Sequence, residues 1–312
     1  MAVGVVNQSK SMARVFDLAL RASRVDYPIL IAGETGVGKE VLATFIHQNS
    51  PRHASGNFVP VNCAEISENL VESELFGHVR GAFTGADQEK KGLIEEAHEG
   101  TLFLDEISGI SQKKQLKLLR VIENKEYRRV GSTETRKSDF RLICAGNEDL
   151  RVLANADKFR NDLMYRISAV RIEIPPLRHR IDDIPPLANY FLKELGLPDI
   201  RLSVDATETL LCHSWPGNVR ELKNVIEYAS FILEPGEKTI QAKHLPILNE
   251  ASGDSFFFDL GSTLREREGY FRRAIVMREM VLCSNRVEEV ARVLSTSTDT
   301  IYRVMSERTP PH

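Results

Sequence analysis

A glycine-rich turn that ends in lysine follows the first apolar run of the sequence. Its residues are of the types that enclose phosphate groups, and they are Gly33, Glu34, Thr35, Gly36, Val37, Gly38 and Lys39. The glycines let the backbone curve around phosphate oxygens, to which amide N–H groups donate, and the helix predicted over 40–48 adds a favourable dipole. Lys39 would neutralise the β and γ phosphates. This segment, the phosphate loop, predicts a site for a nucleoside triphosphate.

Two adjacent carboxylates, Asp105 and Glu106, end another apolar run. Asp105 suits a Mg²⁺ ion held through its water shell, because Mg²⁺ binds few carboxylates and keeps its waters. Glu106 suits the orientation and deprotonation of an attacking water. Glu40 follows Lys39 in place of the usual Ser or Thr, so the common hydroxyl ligand of Mg²⁺ is missing from this position of the nucleotide site. Together these residues predict ATP hydrolysis with Mg²⁺.

The elements that must position these groups alternate between short apolar runs and helical patterns through the first 175 residues. The runs are 29–31, 58–61, 101–104, 141–144 and 170–174, and one of the helical patterns covers 114–124. Short apolar runs are typical of strands buried on both faces. Their alternation with helices predicts an α/β fold with a parallel sheet.

Later segments differ in character. Prolines at 175–176 and 185–186 end the alternation, and a helical unit follows. Gly, Ser and acidic residues over 249–262 predict a linker, which contains three consecutive Phe. We therefore expect an α/β nucleotide-binding part over 1–175, a helical part over 176–248, a linker over 249–262 and a helical C-terminal domain over 263–312.

Composition narrows the function classes. The chain has 312 residues, 42% hydrophobic and 27% charged, with a net charge of −3 that by itself predicts neither nucleic-acid nor membrane binding. Eighteen consecutive apolar residues occur nowhere, so we expect no membrane span. The four cysteines are widely spaced and form no C-x-x-C pair, which indicates reduced thiols in a cytoplasmic protein.

One further segment carries a lone aromatic residue between glycines. The hexapeptide consists of Gly81, Ala82, Phe83, Thr84, Gly85 and Ala86. This GAFTGA sequence, with GETGVGKE, GTLFLDE, VNCAE, SELFGH, FRNDLMYRI and WPGNVRELKNVIE, resembles the bacterial enhancer-binding proteins, the AAA+ activators of sigma-54 RNA polymerase. The resemblance extends from about residue 5 to about residue 248, and the family's phosphate loop also typically reads GKE.

The resemblance implies an AAA+ P-loop ATPase with a parallel sheet, a helical lid and a C-terminal helix-turn-helix. Six subunits would form a ring that binds ATP and Mg²⁺. The hexapeptide would lie at the tip of a loop between the second and third strands and would contact sigma-54. Phe83 offers an apolar contact and Thr84 a compact polar one, while the glycines allow backbone change.

Further roles carry over by matching motif. Asn62 resembles the asparagine that pairs with the catalytic glutamate, here Glu106. Asn147 resembles the first nucleotide sensor, although Gly146 stands where the family usually has Thr. The segment RRVGS, residues 128–132, resembles the second surface loop, which supports the first.

Three arginines also match family motifs. Arg160 and Arg166 resemble the arginine fingers that reach the γ-phosphate of a neighbouring subunit, and a surface helix with two solvated arginines is the plainer alternative. Arg220 resembles the second sensor, which reaches from the lid to the phosphates. The fingers would have no target without a ring, so they predict self-assembly.

The C-terminal tail has a helix-turn-helix pattern over 285–305, similar to the Fis-like domain that ends this family. Ser295 stands where the family has a turn glycine. The predicted recognition helix, 298–306, offers Thr298, Thr300 and Arg303 to upstream enhancer DNA. A helical dimerisation tail without DNA binding is the alternative.

Two other functions share the same motifs. An AAA+ remodeller of another client would also use an exposed Phe, and a DNA-binding regulator could keep the fold without remodelling. The intact hexapeptide and Glu106 favour the sigma-54 activator. The matching pattern begins within a dozen residues of Met1, so either a regulatory protein or related subunit acts in trans, or the chain is a truncated form.

Overall fold

The computed structural model describes residues 8–65, 70–248 and 286–306, together with Val276 and Met280. Its contacts divide the chain into two compact units. One contains Ser11–Pro175, and the other contains the residues from Pro176 onward together with residues 8–10. Among the described residues, no helix is long and apolar enough to cross a membrane. The predicted linker lies outside the described residues.

A five-stranded parallel sheet forms the centre of the first unit, in the order β2-β3-β6-β1-β7. The strands are β1 Ile29–Ala32, β2 Phe58–Asn62, β3 Thr101–Asp105, β6 Arg141–Gly146 and β7 Val170–Glu173, with the short antiparallel pair β4 Glu126–Tyr127 and β5 Arg136–Lys137 outside it. All five apolar runs are therefore strands, and the predicted parallel α/β sheet is confirmed.

Helices cover both faces of this sheet, because its side chains alternate between two apolar layers. Leu102 and Leu104 of β3 lie in one layer and Phe103 in the other. The helices are α1 Lys10–Ser23, α2 Lys39–Gln48, α3 Arg52–Ser55, α4 Val71–Phe76, α5 Leu93–Glu96, α6 Gln112–Asn124, α7 Leu150–Asn155 and α8 Asn161–Ile167. Burial of both faces explains why the strands are apolar at almost every position.

Arg141 is the charged exception, because it begins β6 and is almost fully buried. Its guanidinium donates to the carbonyl oxygens of Ser23, at 2.9 Å, and Ala22, at 2.6 Å, at the end of α1. A cation at a helix C-terminus meets the negative end of the helix dipole and satisfies free carbonyls. Arg141 therefore fixes the end of α1 against the sheet.

The second unit is mainly helical and has its own apolar core. Its elements are α9 Ile184–Glu194, α10 Val204–Cys212 and α11 Asn218–Phe231, with the short parallel pair β8 Arg201–Leu202 and β9 Thr239–Ile240. Trp215 is fully buried and donates from Nε1 to the carbonyl oxygen of Leu210 at 2.9 Å. Asn218 accepts the backbone N–H of Leu177 at 2.8 Å. The segment WPGN is thus a structural corner.

Candidate functional site

The phosphate loop leaves the carboxyl end of β1 and leads directly into α2. Gly33, Gly36 and Gly38 have φ values of 156°, 80° and 102°, which disfavour other residues at Gly36 and Gly38. At Gly33 the cause is space, because an added Cβ would lie 2.9 Å from the carbonyl oxygen of Ile174. A Cβ added at Gly38 would meet nothing within 4 Å, so the space beside this residue is open.

Lys39 is held inside this loop. Its Nζ donates to the carbonyl oxygens of Gly33 at 3.0 Å and Glu34 at 3.3 Å, and only 6% of the side chain is exposed. Glu106 Oε1 lies 3.9 Å from the same Nζ. The predicted phosphate-binding lysine and the predicted general base therefore lie together, at the carboxyl ends of β1 and β3. Ligands of parallel sheets bind at this edge.

The backbone at Glu106 is unusual. Its φ of 49° and ψ of 51° place a non-glycine residue in the left-handed region. Its N–H is held by Asp105 Oδ1 at 2.9 Å. Such strain of about 1–3 kcal/mol persists at sites where the surrounding structure fixes a residue for function. The turn aims Glu106 at the phosphate loop and leaves the other oxygen of Asp105 free of this bond.

The pKa of the Cys63 thiol is affected by the charged residues of the same region. Burial, and then the charges of Asp105 and Glu106, raise the pKa of Cys63 to about 12. The thiol is therefore protonated and inert at neutral pH. A dense negative charge beside an open phosphate loop suits a hydrated divalent cation. Asp105 is the residue that fits Mg²⁺ here.

Asn62 and Asn147 are the two asparagines that we predicted to act in this site. The carboxamide of Asn62 donates to Glu65 Oε1 at 2.8 Å and accepts from Ala64 N at 3.1 Å. Among the described contacts Asn62 therefore pairs with its own turn, and the predicted pair with Glu106 is not formed. The reason is local, because a carboxylate three residues away is the nearer acceptor. Asn147 lies as expected beside the phosphate loop, with Nδ2 3.4 Å from Thr35 Oγ1.

Gly146 ends β6 immediately before Asn147 and donates no side chain to the site. A Cβ added there would meet only Ile107 Cγ2, at 3.7 Å, an ordinary contact. The fold therefore does not require glycine at this position. The backbone still serves the site, since Gly33 donates to the carbonyl oxygen of Gly146 at 3.3 Å.

The hexapeptide lies between α4 and α5, on the connection from β2 to β3. It closes on itself, because Gly81 donates to the carbonyl oxygen of Ala86 at 2.8 Å and Ala86 donates to that of Phe83 at 3.0 Å. Gly81 and Gly85 have φ of 79° and 98°, and a Cβ at either would meet nothing within 4 Å. Thr84 is exposed, and 40% of the Phe83 surface is exposed. The tip is therefore a projecting turn.

A second segment, the supporting loop 128–132, pairs with residues 77–79, which form the stem of the hexapeptide loop. Val79 donates to the carbonyl oxygen of Val130 at 3.1 Å, and Val130 donates to that of Gly77 at 2.8 Å. Gly131 has no room for a Cβ, which would lie 2.7 Å from Ala82 Cβ. The contact agrees with the support inferred from the resemblance.

Ion pairs made by the buried side chain of Arg129 tie both loops to α5. Arg129, with 4% of its side chain exposed, binds Glu95 Oε2 at 2.8 Å and Glu89 Oε2 at 3.5 Å. Burial raises the pKa of Glu95, but hydrogen bonds from Arg129 and Tyr127 outweigh this effect and hold the pKa below its ordinary value. Burial and the same carboxylate raise the pKa of Tyr127 to about 12. Arg129 lies in the predicted supporting loop, but its pairing with Glu95 was not predicted, because the sequence positions give no sign of it.

Comparison with known proteins identifies the first unit. Residues 5–173 match the model of the sigma-54 interaction domain. This chain belongs to the sigma-54 enhancer-binding family. Residues 178–255 match an AAA+ ATPase lid domain, which confirms the predicted AAA+ P-loop fold with a helical lid.

Known proteins are similar to this chain in sequence or in structure. The Nif-specific regulatory protein of Azotobacter vinelandii is 46% identical over 238 residues, 75% of this chain and 45% of that protein. The alginate biosynthesis regulatory protein AlgB of Pseudomonas putida is 40% identical over 96% of this chain and 66% of its own length. The crystal structure of NtrX from Brucella abortus with ADP has 30% identity and a TM-score of 0.76, over 97% of this chain and 69% of that one. The chain spans less than half the length of the first of these relatives.

Of the three arginines inferred from the family, two lie on helices and one immediately precedes a helix. Arg160 precedes α8 and forms a two-point ion pair with Asp162, with Nε–Oδ1 at 3.0 Å and Nη2–Oδ2 at 2.7 Å. Arg166 is exposed in the last turn of α8. Arg220 is exposed in the first turn of α11, in the second unit. Their roles toward a nucleotide stay predictions.

The described part of the C-terminal tail contains two short helices, Val287–Val293 and Thr298–Ser306. Ser295 between them has a φ of 49°, the conformation for which the family uses glycine. The hydroxyl of Ser297 accepts the N–H of Thr300 at 3.1 Å and lies 2.9 Å from its Oγ1. Ser297 thus caps the helix at the N–H of Thr300, while Arg303 is exposed and Thr298 is half-buried.

Proposed function

We propose that this chain uses ATP hydrolysis to remodel sigma-54 RNA polymerase through its hexapeptide loop. The observation that carries the proposal is the pairing of a complete phosphate site with an intact GAFTGA turn in one unit. Lys39 and Glu106 lie within 3.9 Å of each other, and the hexapeptide projects from a stem clamped by the supporting loop. A protein that had lost remodelling would have no need to keep both.

Different side chains of this protein carry out different parts of ATP hydrolysis. The phosphate loop and Lys39 would bind the phosphates of ATP, and Asp105 would hold Mg²⁺, which would supply charge neutralisation there. Glu106, fixed by its strained turn, orients the attacking water and takes its proton. Asn147 beside Thr35 senses the γ-phosphate.

Ring assembly completes the proposed site. Arg160 and Arg166 lie on or next to α8, where a neighbouring copy would receive them as arginine fingers, and Arg220 would reach the phosphates from the lid. The closed ring is proposed as a hexamer. Arg160 must exchange its carboxylate partner, Asp162, for the γ-phosphate of that neighbour.

The tail is proposed as the DNA tether. The helix Thr298–Ser306 presents Arg303 to bases or phosphates of an upstream enhancer, with Thr298 and Thr300 near its start. Binding there would raise the local concentration of the activator near the promoter. A regulatory protein or related subunit in trans is the proposed source of the activating signal.

Transcription reconstituted from purified components tests the function. A sigma-54 promoter carrying a closed polymerase complex should open with this protein and ATP. It should stay closed with a non-hydrolysable ATP analogue. A sigma-70 promoter serves as the control and should not respond. Promoter opening with the non-hydrolysable analogue, or no opening by protein that hydrolyses ATP normally, would contradict the proposal.

A further inference from the structure

The ring of Phe83 rests on the ring of His78, at the base of its own loop. The ring centroids are 5.0 Å apart, and the planes cross at 64°, an edge-to-face arrangement. Such aromatic contacts are attractive beyond the area they bury. Phe83 is 40% exposed, so more than half of its surface is covered, although it lies in a projecting turn. The aromatic residue of the hexapeptide is therefore not presented freely.

His78 is held far more firmly than the residue it touches. Its backbone exchanges two hydrogen bonds with Lys90, both at 3.0 Å. Its Nδ1 lies 2.7 Å from the hydroxyl of Ser73, a buried residue of α4. On either side of it, Gly77 and Val79 bond to Val130. The imidazole is thus fixed to the stem from its backbone and from its ring.

Phe83 is held less firmly, since its carbonyl oxygen accepts the N–H of Ala86 at 3.0 Å within the turn itself. It lies between Gly81 and Gly85, both with positive φ and with open space where a Cβ would be. Rotation at these glycines changes the direction of Phe83 at little steric cost. The two rings therefore form one contact between a fixed partner and a movable one.

We propose that His78 is a positioning residue that parks Phe83 against the stem, and that Phe83 must leave this ring before it can engage sigma-54. The contact between Phe83 and His78 lies within this chain and involves no partner protein. Only the second half, the engagement, rests on the proposed function. The nucleotide state would then act on the loop by changing how often Phe83 leaves His78.

Fluorescence of a Phe83→Trp variant tests the parking directly. The single native tryptophan, Trp215, is fully buried, so iodide in solution quenches only the introduced indole. Two further changes at His78 separate its ring from its hydrogen bond. His78→Asn retains a hydrogen-bonding group for Ser73 but loses the ring, whereas His78→Phe retains a ring and loses the hydrogen bond. His98→Ala, in an exposed histidine outside the loop, is the folding control.

The proposal predicts that His78→Asn raises the iodide quenching constant about twofold, because a side chain already two-fifths exposed becomes fully exposed. His78→Phe and His98→Ala should leave the constant near that of the Phe83→Trp parent. Equal quenching in the Asn and Phe variants would overturn the parking contact. No polymerase is present, so this result does not depend on the proposed function.

Hydrogen exchange in protein with the native Phe83 is a second measurement, and its result does not depend on how the introduced tryptophan packs. The amides of Gly81 and Ala86 should exchange faster in His78→Asn than in His78→Phe, by about 2- to 10-fold for one aromatic contact. Equal rates would also overturn the proposal. Binding of sigma-54 to His78→Asn without a transition-state mimic supports the second half. A confirmed parking contact without any sigma-54 binding would instead count against the proposed function.

Discussion

The phosphate loop and the hexapeptide loop are both built on glycine, but the glycines serve opposite purposes. At the phosphate loop the backbone is packed so closely that a Cβ at Gly33 would lie 2.9 Å from the carbonyl oxygen of Ile174, the residue after β7. At the hexapeptide, Gly81 and Gly85 face open space. The first loop is a rigid receptor anchored in the sheet, whereas the second is a movable tip anchored only at its stem.

The packed phosphate loop is suited to the chemistry of hydrolysis, and the projecting hexapeptide loop is suited to mechanical work. Lys39 is buried and held by two carbonyl oxygens, so it needs no motion to meet a phosphate. Phe83 and Thr84 are exposed and can change direction with few contacts to lose. A remodelling ATPase needs both properties, and this chain places them in one unit. The variants below are designed to damage one loop while the other stays intact.

The largest effect should come from the base of the phosphate site. Glu106→Gln should lower ATP hydrolysis on the order of 100-fold or more, because a positioned general base contributes that much. ATP should still bind, since the phosphate loop is untouched. Phosphate release and nucleotide binding measure the two effects. Glu99→Gln, at an exposed glutamate that also has a positive φ of 59°, is the matched control. Hydrolysis near the wild-type rate would contradict the role of Glu106.

The stem of the hexapeptide loop should be the next most sensitive place. Arg129→Ala should destabilise the loop pair by about 2–4 kcal/mol, because it leaves Glu95 without its buried partner. Activation of transcription should be lost while ATP hydrolysis continues. The neighbouring Arg128→Ala, at an exposed position, should change neither. Loss of hydrolysis in proportion to activation would show that the two loops are not separable.

Glycine replacement compares the two loops directly. Gly33→Ala should cost about 2–4 kcal/mol in the free energy of unfolding, because its Cβ meets fixed backbone. Gly81→Ala should cost about 1 kcal/mol, from the positive φ alone. Denaturant unfolding of the two variants measures the difference. Equal costs would remove the distinction between a packed loop and a projecting one.

Acid should weaken the stem of the hexapeptide loop. The pKa of Glu95 lies below its ordinary 4.5 in the folded chain, so its stabilising contribution is complete above that pH and is lost as the pH falls through the lowered value. The protection of the stem amides at 78–79, measured against their intrinsic exchange rate at each pH, should therefore fall below about pH 4.5. Glu95→Gln should remove this dependence. An unchanged acid response in Glu95→Gln would assign it to other carboxylates.

Sequence reasoning predicted the sheet and the phosphate site well, because both depend on local patterns. Apolar runs gave all five strands, and glycine spacing gave the loop next to Lys39. The pairing of Asn62 depends on which carboxylate is nearer, Glu65 or Glu106, and spacing does not show that. Contacts between distant segments, such as Arg129 with Glu95 and Val79 with Val130, required the fold itself.

The most direct test of the account is co-migration of the protein with purified sigma-54 in ADP and aluminium fluoride, a mimic of ATP during hydrolysis. The account predicts a complex that forms only with the mimic and is lost in Thr84→Ala, while that variant hydrolyses ATP at the wild-type rate. Thr84 is exposed at the tip and belongs to no contact of the phosphate site. A Thr84→Ala protein that still binds sigma-54 and activates transcription normally would contradict the assignment of the hexapeptide as the engaging surface.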